Sequence, residues 1–211
     1  MSINKIYFVI ALVLIFTTVL FSSCTDNSAG DPFVVRNDDW VKGPDNALIT
    51  IIEYSDFECS ACAIASPILK QTSEAFSSDV RVVFRYFPLD QHENALLAAQ
   101  AAQAAGYQNK FWEMHDLLFQ NVKDWSENEN PLKVFEKYAD QLSLNKDQFN
   151  KDYNHNSTKQ RILLDKKDHN TLKLLGTPSI FVNGQLVNLA PFEEFKQTIQ
   201  QAILKAKANP N

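Results

Sequence analysis

The sequence predicts an α/β protein: a strand–helix–strand unit, a helical block, then helix, hairpin and closing helix. Three observations carry this reading. First, an apolar run at residues 47–52, rich in β-branched residues, is short enough for a buried strand, and a second run at 80–87 ends at Pro88. Second, Ile64, Ile68, Leu69 and Phe76 recur at helical spacing over 61–76. A strand, helix and strand in that order lie as parallel strands of one sheet. Third, Asn183-Gly184 between the apolar runs 178–182 and 185–187 is the strongest short hairpin signal in the chain.

The remaining elements follow in order. Residues 40–46 carry turn residues ahead of the first core strand. Pro67 lies inside the first helix, where it removes a backbone bond and should kink it. From 94 to 173 the pattern is mostly helical: 94–107 is Ala/Gln-rich, 111–121 carries Phe111, Met114, Leu117 and Leu118, and 131–142 opens with Pro131 at a first helical position. Residues 126–130 are a polar loop, and Gly176 suits the C-terminal stop of a helix over 157–175. The closing helix, 192–207, sets Phe192, Phe195, Ile199, Ile203 and Leu204 on one side.

Composition narrows the function classes. A 211-residue chain with 45% hydrophobic residues builds an ordinary core, and its net charge of −5, with no offsetting Lys/Arg cluster, argues against nucleic acid as a partner. The N-terminus reads as a targeting segment. Lys5 precedes an uncharged apolar stretch at 6–21, shorter than the ~20 residues a spanning helix needs. Phe21-Ser22-Ser23-Cys24 resembles a bacterial lipoprotein cleavage box, which implies a signal peptide at 1–23 and lipid on Cys24. A plain cleaved signal and an uncleaved signal anchor are the alternatives, and all three export the rest of the chain. Residues 24–43 then form a tether, 25–32 being Asn/Ser/Gly/Asp/Pro-rich.

Cys24, Cys59 and Cys62 are the three cysteines. With Cys24 lipidated, only Cys59-Ser60-Ala61-Cys62 remains, at the hand-over from strand to helix N-terminus. Unpaired N–H groups and the helix dipole there bias the first thiol toward thiolate, the form that attacks a disulfide. Cys62, one turn on, is placed to resolve the mixed disulfide. A zinc site would need two more ligands at metal spacing, and His92, His115, His155 and His169 are too scattered to supply them. Glu53 closes the apolar strand, where an unpaired carboxylate is costly to bury; a simply hydrated acid at the strand end is the alternative. No flavin, nicotinamide or metal motif is present, so no cofactor is expected and the cysteines are the redox group.

This order, with Cys59-Ser60-Ala61-Cys62 opening the first helix, Glu53 six residues before Cys59, and Gly176-Thr177-Pro178 entering a strand, resembles the DsbA-like thiol:disulfide oxidoreductases. The resemblance implies a thioredoxin fold over 44–207 with an inserted helical subdomain at about 92–156. It implies Cys59 as the exposed nucleophile, Cys62 as resolving thiol, and Glu53 as the buried acid that moves the resolving thiol's proton. It also implies Pro178 in cis beside the cysteines, with Thr177 presenting its backbone to the substrate chain. The expected activity is disulfide donation to exported proteins with cysteines, with reoxidation by a membrane redox partner, on the extracytoplasmic side. Reduction or isomerisation of disulfides in the same compartment, or a non-catalytic binding module or holdase, are the alternatives. Ser60-Ala61 stands where the most oxidising members have Pro-His. Losing that histidine weakens thiolate stabilisation, so the expected potential lies between thioredoxin's ~−270 mV and DsbA's ~−120 mV.

Overall fold

The structure, a computed structural model, describes residues 31–209. The expected signal peptide at 1–23, the lipidation site Cys24 and the start of the tether lie outside the described residues. Along the chain run β1 (Trp40–Lys42), β2 (Ile49–Ser55), α1 (Ser60–Ala75), β3 (Val80–Tyr86), α2 (Ala95–Gly106), α3 (Phe111–Gln120), α4 (Val122–Trp125), α5 (Leu132–Gln141), α6 (Lys146–Tyr153), α7 (Asn156–Leu172), β4 (Ser179–Val182), β5 (Gln185–Val187) and α8 (Phe192–Ala208). The strands form one sheet in the order β1-β3-β2-β4-β5. β2 and β3 pair in parallel, and the other pairings are antiparallel.

Alternation along β2 sends successive side chains to opposite faces. Ile49 and Ile51 pack with Ala65 and Leu69 of α1 and with Phe195, Ile199 and Ile203 of α8. Ile52 and Tyr54 pack on the other face with Val83, Phe181 and Leu174. By the same alternation Glu53 shares the α1 face with Ile51. The third cluster lies in the helical block, around Ala98, Ala102, Phe111, Trp125 and Phe135, and extends to Cys59 and Cys62.

Several expectations need correction. The tether was expected to run through residue 43, yet Trp40–Lys42 is an edge strand on β3. Trp40 is what holds it there: its ring stacks on Phe111 at 4.6 Å and 4°, and its Nε1 donates to Tyr86 Oη and Gln103 Oε1 at 3.0 Å each. Gly106 admits that ring; a Cβ there would lie 2.3 Å from it. Glu53 does not close its strand, because Tyr54 and Ser55 continue the pairing with Arg85 and Tyr86. Ile64 and Leu204 are 65% and 63% exposed, so neither belongs to the core faces expected of them. Helix α7 stops at Leu172, before Gly176. Lys173 takes the left-handed cap at φ 51° and donates its N–H to the His169 carbonyl. Helix α6 had no apolar stripe to announce it; Asn145 caps it by accepting from Gln148 N at 2.9 Å.

The N-terminal segment is tied to the sheet by a buried charge cluster. Arg85 on β3 is fully buried, and its Nε and Nη2 grip Asp39 at 3.2 and 2.8 Å. Its Nη2 also donates to Val34 O, and its Nη1 to Pro32 O and Tyr54 Oη. Asp39 also accepts from Arg36 and Arg161, and Asp165 accepts from Arg161 and from Tyr86 N. Burial works against Asp39's charge, but Arg85 and Arg36 outweigh it and hold its pKa below the ordinary value.

Candidate active site

The loop between β2 and α1 is held from below. Asp56 accepts from Glu58 N at 2.7 Å, from Leu89 N at 2.8 Å, and lies 2.8 Å from His92 Nδ1. Glu58 Oε2 accepts from Asn94 N at 2.8 Å. These bonds lock residues 56–58 to the segment after β3, and they are where His92 acts: it braces a loop and stands outside the catalytic set.

Cys59 occupies the N-cap of α1 in an extended conformation, with no side-chain cap bond. Its own N–H donates to the Asp56 carbonyl at 3.1 Å. The sequence led us to expect an exposed nucleophile, but Cys59 is only 9% exposed and Cys62 is fully buried. Both cysteines belong to the apolar cluster that also holds Phe57 and Phe84. Both cysteines are free thiols. The Thr177-Pro178 bond is cis, and in its thiol form Cys59 Sγ donates to the Thr177 carbonyl at 3.4 Å. Cys59, Cys62, Thr177 and Pro178 therefore converge, although 118 residues separate Cys59 from Thr177.

The two thiols are pushed apart electrostatically. A hydrogen bond from the Cys62 side chain is the largest influence on Cys59; with the Thr177 side chain and the N–H groups of Ala61 and Cys62 it outweighs burial and lowers the Cys59 pKa to about 5. Burial, then the bond to Cys59 and the charge of Glu53, hold the Cys62 thiol far above its ordinary range. Beneath them Glu53 is 2% exposed. Burial pushes its carboxyl up to about 7, although Ser55 Oγ donates to Oε1 at 2.8 Å and resists the rise. The arrangement presents one thiolate to a partner, keeps the second sulfur protonated, and sets beside them a carboxyl able to take or give a proton near neutrality.

Alkylation of the reduced chain should report this directly. Reactivity at Cys59 should be half-maximal near pH 5 and level from pH 6.5 to 8, where an ordinary thiol would still be rising toward ~8.5. The sign for stability follows. A pKa lowered on folding makes the thiolate's contribution complete above the ordinary value of 9.0 and lost as pH falls through 5. The reduced form should therefore gain stability across that interval, as urea titrations at several pH values would read.

Sequence reasoning missed Ser55 and His115. Ser55 lies two residues after Glu53, on the same face of β2. His115 had been weighed only as a metal ligand. Its spacing from Phe111 and Leu118 places it on the buried stripe of α3, which was the available signal. Among the described residues no cluster of His, Cys, Asp and Glu could hold a metal ion, and no helix is long and apolar enough to cross a membrane.

Comparison with known proteins adds context to this geometry. Residues 36–201 match the family described as thioredoxin. A Na(+)/H(+) antiporter NhaA 3 of Salinispora tropica is 35% identical over 175 residues, which are 82% of this chain and 26% of the antiporter. The chain thus spans about a quarter of the length of that relative. The probable disulfide bond formation protein D of Bacillus cereus is 28% identical over 210 residues, 95% of each chain. Among solved structures, alpha-DsbA1 of Wolbachia pipientis superposes with a TM-score of 0.73 at 21% identity, covering 83% of this chain and 96% of that one. At that identity the likeness speaks for the fold.

Proposed function

Since this chain belongs to the thioredoxin family, we propose that it is a DsbA-like thiol:disulfide oxidoreductase working through Cys59 and Cys62, most simply as a disulfide donor. The carrying observation is the split between the two thiols. A partner-facing sulfur held as thiolate is a good leaving group, and a stabilised reduced form makes its disulfide oxidising. The whole-length relative named for disulfide bond formation supports the same direction. The antiporter supports no transport function here, since only a quarter of it is matched.

In the donor cycle a substrate thiolate attacks Cys59 Sγ, the Cys59–Cys62 bond breaks, and Cys62 leaves as a thiolate. Burial makes that charge unfavourable, so Cys62 takes a proton, with Glu53 the acid beside it. A second substrate thiolate then attacks the substrate sulfur, and Cys59 departs as thiolate. Two substrate thiols become one disulfide, and the enzyme is left with one thiolate and one thiol. A membrane partner then takes the electrons. The Thr177 carbonyl meets Cys59 at the cis Thr177–Pro178 bond, and we assign to the Thr177 main chain the holding of the substrate backbone.

We place this activity on the extracytoplasmic side, with the chain held by lipid on Cys24 or by a signal anchor, acting on exported proteins with cysteines. The sequence of residues 1–24 is the support for that placement. The same chemistry run in reverse would reduce or shuffle disulfides. Catalytic amounts of the oxidised chain, added with glutathione to a reduced, unfolded protein rich in disulfides, should speed the return of its activity. Reduction of insulin with no effect on oxidative refolding would favour the reductase instead.

A further inference from the structure

Beneath the cysteines, Glu53 and His115 line one narrow cavity of about 20 Å³, a volume that admits one water. Its other polar walls are Lys42 on β1, Ser66, Lys70 and Ser73 on α1, and Trp112 and Asp116 on α3. His115 is 4% exposed. Its Nδ1 lies 3.0 Å from Asp116 Oδ1, and Asp116 Oδ2 accepts from Lys70 Nζ at 2.6 Å. Burial alone would raise Asp116, but His115 and Lys70 hold it at about 2, so it is ionised and can only accept. His115 Nδ1 must then carry the hydrogen, which leaves Nε2 as a bare acceptor. That nitrogen is buried and finds no hydrogen-bond partner among the described residues. Of the rings around the imidazole, Phe57, Phe84, Phe111 and Phe119 at 5.8, 5.2, 6.0 and 4.9 Å carry no O–H or N–H donor, and the Nε1–H of Trp112, whose ring lies at 5.2 Å, donates to the Val41 carbonyl instead.

We propose that His115 is a positioning residue for the proton that Glu53 exchanges with Cys62, acting through a single water in the cavity the two side chains share. This rests on the oxidoreductase reading above. The water donates to His115 Nε2, satisfying the orphaned acceptor, and reaches the Glu53 carboxyl with its remaining groups. When Cys62 closes the disulfide, its proton passes to the Glu53 carboxylate, and the Cys62 thiolate attacks Cys59 Sγ and expels the partner's thiolate. Glu53 then hands a proton to the water, and the water hands one to Nε2. The imidazolium forms beside ionised Asp116 but also near the ammonium groups of Lys42 and Lys70. Burial and those two cations lower the His115 pKa, so the proton is held only briefly and released to solvent. One proton leaves Cys62 and one reaches solvent; in the donor direction the path runs in reverse.

The test mixes the reduced full chain with oxidised glutathione, quenches with acid at short times, and resolves the species by mass spectrometry. The first step makes the Cys59–glutathione mixed disulfide; the second, attack by Cys62, releases the second glutathione. Two variants block the path differently: His115→Gln keeps a polar side chain that cannot carry the proton, and Ser66→Val fills the cavity and leaves every titratable group in place. Both should accumulate the mixed disulfide, with the second step slowed on the order of ten-fold, the first step unchanged, and a larger solvent deuterium isotope effect on the second. Loosened packing alone would not produce that split. A second step at the parent's rate in both variants would overturn the relay. A parent chain that never forms the mixed disulfide would instead overturn the oxidoreductase reading on which the relay rests.

Discussion

Cys59→Ser should abolish disulfide transfer while leaving the fold intact. Serine matches cysteine in shape but cannot form or break an S–S bond, so catalysed oxidative refolding should fall to the uncatalysed rate. Cys62→Ser should behave differently. Cys59 can still be attacked and can still form a mixed disulfide, but no second sulfur resolves it, so covalent adducts with substrate should persist on non-reducing gels. The contrast separates the enzyme from a holdase of the same fold, whose activity would survive both changes. Melts of reduced Cys62→Ser should agree with the parent to within the range of an ordinary conservative substitution, about 1 kcal/mol, whereas reduced Cys59→Ser should lack the rise in stability with pH that the thiolate supplies.

Arg85→Ala should be among the most destabilising single changes in the molecule. The guanidinium is fully buried, and its loss leaves the equally buried, ionised Asp39 carboxylate only the longer side-chain contacts of Arg36 and Arg161 at 3.3 Å. Removing one partner of a buried pair typically costs about 3–5 kcal/mol, a large share of a total that is commonly 5–15. For a chain of this length that corresponds to a fall in Tm of roughly 6–20 °C. Arg85→Lys should recover little, because an ammonium cannot reproduce the two-pronged grip on Asp39. The exposed pair Lys70–Asp116 gives the scale for comparison: breaking it should cost under ~1 kcal/mol. Thermal melts of these variants at one pH would rank them.

How much of this was legible in the sequence depended on whether the cause was local. The Cys59–Cys62 spacing at a strand-to-helix junction is set by chemistry within a few residues, and so is the turn at Asn183 and Gly184, whose φ values are positive at 46° and 78°. Both were readable. Trp40–Lys42 was not, because its strand pairing depends on a ring packed against Phe111, seventy residues away, through the space left by Gly106. The stop of α7 was misplaced for a related reason: Lys173 accepts a left-handed backbone that glycine takes more readily, so no residue type marked it. At the site, burial of Glu53 could be anticipated from its apolar strand. Ser55 bonds Glu53 from two residues along the same strand face and was within reach of the same reasoning, whereas the cavity that His115 shares with Glu53 forms only once β1, β2, α1 and α3 pack.

The central claim is that Cys59 and Cys62 form a redox pair tuned toward donating its disulfide. The most direct test is the reduction potential of that pair, read by equilibrating the chain in glutathione buffers at pH 7 and counting free thiols. The account predicts a single two-electron transition between about −270 and −120 mV. A pair that stays reduced or stays oxidised across the buffers, or that cycles outside that bracket, would contradict it.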